Sequence, residues 1–441
     1  MTAAGLLILA ALAPVVSRRL SGDVCAPSAI AASLWGGTMG LFALRLLPYP
    51  PLQPLTVGLL AATVAILVAA SAAAAWWWTR GQARTPAPHP LPGAAWWVGG
   101  YAAIAIAGTI WFVAAVLTTL PNAFSDAVAL RYALFTYQIP STFLFAQLFA
   151  IATPLVTLAL LLSGTRLPWP LIALGAICAA GTFVSTDRTQ VFLLVLTAAF
   201  MAAFRVGPLL SATRTFVVAV VAVALLLGSF LAVETWVRKS PAQLGLALQL
   251  PGAPAPEASG PMAALARAGQ RLAGVYLYAT GSYAALDRLI AAPPPRTHGA
   301  HIAFPLVRPL ERLGILSGAT PSPIPPYVEI CPASTPDLPA RTFNAYTFLY
   351  YPLVDFGIAG AILYALAIAA VAGVAYGWLR ADRTDPLRLL VAGLVTTAFA
   401  LTIFVNKFNN TAWWYVLGVS AGPWLATAIL RPWARPGSRR R

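Results

Sequence analysis

The run LTVGLLAATVAILVAASAAAAWWW (Leu55 to Trp78) contains neither a charged side chain nor a proline. As an α-helix it is long enough to cross the roughly 30 Å hydrocarbon of a bilayer, where it satisfies its own backbone hydrogen bonds. Runs of this kind recur along nearly the whole chain. The 441 residues are 59% hydrophobic and only 9% charged, with a mean hydropathy of +0.78. That is more apolar surface than the core of a soluble protein of this length takes up. A transmembrane β-barrel would show short alternating segments instead. The fold class expected is therefore all-α, a polytopic integral membrane protein.

About eleven spans are expected on length and hydropathy. They are Ala3 to Val16, Ala26 to Leu47, Leu55 to Trp78, Ala94 to Leu117, Ser141 to Leu162, Pro168 to Thr186, Thr189 to Phe204, Thr215 to Val237, Pro352 to Leu379, Leu387 to Phe404 and Ala412 to Leu430. The first lacks the charged head and small-residue cleavage pattern of a signal peptide, so it counts as a marginal span. Three regions follow: an N-terminal bundle of about eight spans at 1–237, a large outer loop at 238–345, and a C-terminal part at 346–441 with about three spans and a basic tail.

Arginines set the orientation. Arg18 and Arg19, Arg80 and Arg84, Arg166, Arg205 and Arg214, Arg380, Arg383 and Arg388, and the tail RPWARPGSRRR (Arg431 to Arg441) fall in alternate loops, which are read as cytoplasmic. The net charge of +16 is largely this bias. The tail reads as an anchor on anionic lipid, not as a nucleic-acid binder. The opposite loops, read as outward, hold NAFSDAVALRYALFTYQIP (Asn122 to Pro140), the turn STDR (Ser185 to Arg188), the segment Arg238 to Thr342, and NKFNN (Asn406 to Asn410). Cys25, Cys178 and Cys331 are too scattered to define a disulfide or a metal site. No P-loop or dinucleotide-binding glycine pattern offers a cradle for a nucleotide donor.

The outer connection of about a hundred residues exceeds an ordinary loop. Leu250 to Pro261 (LPGAPAPEASGP) reads as a Pro/Gly linker. Met262 to Ala292 reads as a helix, opened by Ser259 and Pro261 and stopped by Pro293 to Pro295, and is expected to lie on or dip into the outer leaflet. Arg267 and Arg271 share one face of it and turn either to headgroups or to a ligand.

Four places keep polar groups where lipid makes them costly. Arg188, in STDRTQVFLLVL (Ser185 to Leu196), sits at an outer mouth; it either serves a site, or snorkels, or pairs with Asp187. NAYTFLYYPLVDFGIAG (Asn344 to Gly360), with Arg341 just before it, concentrates Asn344, Tyr346, Tyr351 and Asp355, part of which an aromatic belt and a carboxylate in a first helical turn would explain. RTHGAH (Arg296 to His301) carries His298 and His301, apt proton acceptors among hydroxyls but short of a third ligand for zinc. Arg131 lies with Tyr132, Tyr137 and Gln138 in the first large outer loop, as an interfacial turn or a binding patch. Arginine forks match phosphate oxygens, and tyrosine rings stack on sugars. The set suits a lipid that carries a sugar on pyrophosphate.

STDRTQVFLLVL, YLYATGSYAALDRLI (Tyr276 to Ile290), HGAHIAFPLVRPLERLG (His298 to Gly314) and NAYTFLYYPLVDFGIAGAILYALAIA (Asn344 to Ala369) together resemble the oligosaccharide repeat-unit polymerases of the Wzy, or O-antigen polymerase, type. The likeness runs from about Ser185 to Leu379. It implies a glycosyltransferase of the bacterial inner membrane, working on the outer face without metal or cofactor. Such an enzyme moves a growing glycan from undecaprenyl pyrophosphate onto a lipid-linked repeat unit. Membrane lipid, a flippase and a chain-length regulator are the further partners to expect, and nucleic acid is not one. On this reading Arg188, Arg341, His298, His301 and Asp355 are catalytic candidates. Arg131, Tyr137, Arg267, Arg271, Arg308, Asn344, Tyr346 and Tyr351 are substrate-binding candidates. Two rivals stand beside it: a ligase that hands a finished glycan to another acceptor, and a lipid-linked oligosaccharide transporter. The latter would bury ionisable residues deep in several spans, where this chain keeps most at the mouths, Arg45 being the nearest exception.

Overall fold

A computed structural model describes residues 2–47, 49–81, 90–119, 142–184, 188–207, 261–312, 314–316, 328–331, 341–343 and 345–430. The helices are α1 (Ala3–Ser21), α2 (Pro27–Ala43), α3 (Pro54–Gly81), α4 (Ala94–Thr119), α5 (Thr142–Leu162), α6 (Trp169–Val184), α7 (Arg188–Val206), α8 (Pro261–Ala291), α9 (Ala300–Arg312), α10 (Tyr350–Ala381), α11 (Pro386–Ala400) and α12 (Thr411–Leu430). Proline opens α2, α3, α8 and α11, where its fixed φ suits a first turn and its missing N–H costs nothing. Strands β1 (Val328–Cys331) and β2 (Arg341–Phe343) pair antiparallel, Val328 opposite Phe343.

Every expected span except Thr215 to Val237, which lies outside the described residues, coincides with a helix to within a few residues. Five helical stretches among the described residues are long and apolar enough to cross a bilayer: Ala3–Ser21, Pro54–Gly81, Ala94–Thr119, Tyr350–Ala381 and Pro386–Ile403. Large apolar side chains stand outward on them, Trp96 being 83% exposed, as expected where lipid is the solvent. The chain is a helical membrane protein.

The chain divides into two compact units that interleave along the sequence. The first takes Met1–Trp77, Val223–Val374 and Ala398–Thr411. Its centre is Trp35, whose ring meets Phe348 edge-on at 5.8 Å and Tyr283 at 6.1 Å, and whose Nε1 donates to Thr402 Oγ1 at 3.1 Å. The far half of α8 is locked to this core and does not lie free on a surface. Tyr283 Oη and Thr38 Oγ1 are 2.5 Å apart, Tyr276 Oη donates to the Leu41 carbonyl at 2.8 Å, and buried Asp287 accepts from Gln53 N at 2.9 Å and Thr56 Oγ1 at 2.5 Å. The expected leaflet helix is thus, from Tyr276 onward, a packed element of the protein. The Tyr276 and Tyr283 hydroxyls find partners in the 38–56 region.

The second unit takes Trp78–Ala222, Ala375–Thr397 and Ala412–Arg441. Small residues let α4, α5 and α6 approach: Ala102, Ala105, Ala150 and Cys178 form one buried cluster. Three arginines close helix ends here. Arg205 Nε donates to the Leu162 carbonyl at 2.9 Å, Arg383 Nη1 to Phe204 at 2.9 Å and Arg388 Nη1 to Trp378 at 3.1 Å. Arg388 and Asp385 are both fully buried and 3.4 Å apart, and Asp385 also caps the start of α11 through Leu387 N at 2.9 Å.

Within the first unit α3 and α10 pack with the space for a Cβ at Gly373 already taken by the Ser71 carbonyl and, at 2.8 Å, by Ala74 Cβ. Gly373→Ala is expected to destabilise the protein by about 1–3 kcal/mol, read as a lowered melting temperature in detergent. A melting temperature equal to wild type would show that the two helices separate at no cost.

Candidate functional site

Three prolines stop α8 and deliver Arg296 and Thr297 to a sharp turn, in which His298 (φ 49°) and Gly299 (φ 96°) both take left-handed backbone. At Gly299 only glycine fits, because a Cβ would lie 2.9 Å from the Phe356 ring of α10. The turn starts α9, whose first N–H groups need acceptors. They find Asp355 of α10, fully buried. Its Oδ2 accepts from Ile302 N at 2.8 Å, and its Oδ1 from His301 N at 3.2 Å and from Thr297 Oγ1.

This corrects the first-turn expectation for Asp355. It lies beyond the first turn of α10 and serves instead as the cap of α9, a helix remote in sequence. A carboxylate there answers both the orphan N–H groups and the positive end of the α9 dipole.

Two residues on, α10 breaks. Gly357 has φ 72° and ψ −160°, outside helical values. The place of its missing Cβ is filled by the Arg296 guanidinium, whose central carbon would be 2.8 Å away. Arg296 itself is exposed. Sequence reasoning did not select Arg296. The available signal was its place directly after PPP, which ends α8 and fixes where the chain leaves it, together with a glycine two positions after Asp355.

His301 is 6% exposed. Its ring centroid lies 5.6 Å from that of Tyr351 and 6.3 Å from that of Tyr350, and the Tyr346 ring lies tilted against that of Tyr350 at 4.5 Å. Its Nδ1 is buried with no partner. Burial lowers the His301 pKa below the ordinary imidazole value, and the Asp355 charge only partly offsets this. The imidazole is therefore neutral at pH 7. Burial, with the neighbouring Tyr350 oxygen, raises the Tyr346 phenol, which stays protonated.

Of the candidates from sequence, the structure brings together His301, Asp355, Tyr346 and Tyr351. His298 is exposed on the turn. Arg308, its side chain 40% exposed, pairs with Glu311 at 3.1 Å. Arg188 opens α7 in the second unit, Arg267 and Arg271 lie on the first half of α8, and Arg341 begins β2; for these four only the backbone path is described. Arg131, Tyr137 and Asn344 lie outside the described residues. Among the described residues no three His, Cys, Asp or Glu side chains group as a metal site. The cluster offers a neutral nitrogen base, an exposed cation and a tyrosine wall within one turn of chain and the start of α10. No family model matches the chain, and no curated protein or solved structure matches it either.

Because His301 is depressed, its contribution to stability is complete above about pH 6.5, the ordinary imidazole value, and fades as pH falls below it. Nitrogen-15 NMR of histidine-labelled protein should show His301 titrating below the ordinary imidazole value. Asp355→Asn, which removes the offsetting charge, should move His301 lower still. An upward move in that variant would show that the carboxylate does not act on the ring.

Proposed function

We propose that the chain is a glycosyltransferase that polymerises oligosaccharide repeat units on undecaprenyl pyrophosphate, at the outer face of the bacterial cytoplasmic membrane, with about eleven spans in all. The observation that carries the reading is that the six residues Arg296 to His301 set a buried neutral His301 and an exposed Arg296 beside a break in a membrane helix. The resemblance of the 185–379 segments to repeat-unit polymerases supplies the substrate.

In this mechanism the acceptor hydroxyl attacks the anomeric carbon of the lipid-linked donor while the C–O bond to pyrophosphate breaks. His301 takes the hydroxyl proton, since burial keeps its imidazole in the neutral, proton-accepting form. Charge gathers on the departing pyrophosphate, and arginines aimed at it lower the barrier. Arg296 is the first of these, with Arg341 and Arg308 of the same unit as further candidates. Asp355 acts as a positioning residue: it holds the α9 start that presents His301. Tyr346, Tyr350 and Tyr351 form the wall against which a sugar face stacks.

A ligase would use the same chemistry on a different acceptor. A transporter is favoured by one feature, the broken α10, since interrupted helices often frame transport sites. Incubating purified protein with a synthetic pyrophosphate-lipid oligosaccharide separates them. Products longer by whole repeats mark a polymerase; a single transfer to a foreign acceptor marks a ligase; carrier movement with no new glycosidic bond marks a transporter.

In that assay His301→Gln and Arg296→Ala should each cost about a hundredfold in rate with the protein still accumulating in the membrane. Arg188→Ala should abolish chain extension in cells. Wild-type rates in the His301 and Arg296 variants would remove this site from the reaction, and normal polymer length in the Arg188 variant would remove Arg188 from it.

A further inference from the structure

The segment Asn406 to Asn410 lies in the first unit, and its polar residues are unevenly satisfied. Asn406, 2% exposed, is fully used. Its Oδ1 accepts from Asn409 N at 3.2 Å, and its Nδ2 donates to Tyr364 Oη at 3.0 Å. Those bonds hold the one-turn 3₁₀ helix Lys407–Asn409. Asn409, 3% exposed, is the opposite case: neither Oδ1 nor Nδ2 has a partner. Helix α9 packs against this turn, and α9 carries His301, whose Nδ1 is likewise buried and unpartnered.

Each such orphan costs about 1–3 kcal/mol, and folded proteins leave few of them. Three on two touching elements mark a place that something polar completes. The chemistry of the set is specific. One amide offers a donor and an acceptor side by side, which matches adjacent hydroxyls on a ring or an acetamido group. An imidazole nitrogen offers a third contact, and the Tyr350 and Tyr351 rings stand beside that imidazole. Asn409 brings no charge, so the set suits a sugar better than a phosphate.

We infer that Asn409, with His301, forms a sugar subsite where α9 meets the 407–409 turn, and that on the proposed function it is the acceptor sugar that binds there. The acceptor hydroxyl is the group that must reach His301, whereas the donor is held by its pyrophosphate. Asn409 is then a specificity-determining residue for the acceptor ring. It does no chemistry itself.

The test uses full-length protein in lipid nanodiscs and, as probe, the host's repeat-unit oligosaccharide released from its lipid by mild acid, titrated calorimetrically. Wild type should bind it. Asn409→Ala should bind at least about tenfold more weakly, the scale of one lost hydrogen-bonded pair, and inorganic pyrophosphate should bind both proteins alike. Asn409→Ser, which keeps a small polar group, guards against misfolding of the alanine variant and should also weaken sugar binding. Unchanged affinity in a folded Asn409 variant, or no binding to wild type, overturns the subsite and leaves bound water only as the occupant, whatever the extension assay shows. Sugar binding lost in the variants, together with no lengthened product from wild type, keeps the subsite and removes the polymerase reading.

Discussion

The first unit depends on one carboxylate. Asp355 leaves water completely, and it does so only because three donors from a distant part of the chain converge on it: Thr297 Oγ1, His301 N and Ile302 N. Hydrogen bonds to a charged acceptor are each worth about 1.5–3 kcal/mol, and a buried carboxylate without them would be prohibitive. Three structural facts follow from that bond set: where α9 starts, which way its first turn points, and how close the RTHG turn comes to α10. The tight contacts at Gly299 and Gly357 are the steric record of that approach. His301 inherits its depth and its neutrality from the same arrangement.

The helices were legible in the sequence because crossing a bilayer is a local requirement, met residue by residue along one stretch of chain. Proline punctuation also made the limits of α8 readable to within a residue or two. What α8 packs against was not readable. Nothing local marked what Tyr276, Tyr283 and Asp287 bond to, since their partners at 38–56 lie more than two hundred positions away in sequence. Asp355 stood out as a charge too costly to be idle. Its true partner, the start of α9, is 53 positions earlier, beyond anything local pattern reveals. Arg296 and Asn409 were overlooked because isolated polar residues after prolines or in short loops are usually just solvated, and only burial and partner geometry separate these two from that background.

The two units solve close packing by similar means. Gly373 against Ser71 and Ala74 in the first, and Gly393 with a virtual Cβ 2.6 Å from Met201 Cγ in the second, let helices meet at backbone distance. In lipid, where apolar side chains gain nothing by leaving one apolar medium for another, such contact and the hydrogen bonds it allows supply the association energy. Thr197 and Thr397, hydroxyls 3.0 Å apart between α7 and α11, are one of those bonds. The broken turn at Gly357 is the exception, where regularity is given up beside the polar cluster.

Arg205, Arg383 and Arg388 belong to the loops whose positive charge was used to orient the chain, yet each guanidinium is fastened to a carbonyl near the end of a helix. On the orientation expected from sequence, the same atoms would carry two kinds of information, an address read once during insertion and a clasp needed ever after. Lysine would preserve the first and lose the planar guanidinium that makes the second. Charge-swap mapping of this protein's topology would consequently scramble two signals, and a loss of function at these arginines would speak of a loosened joint as readily as of an inverted chain.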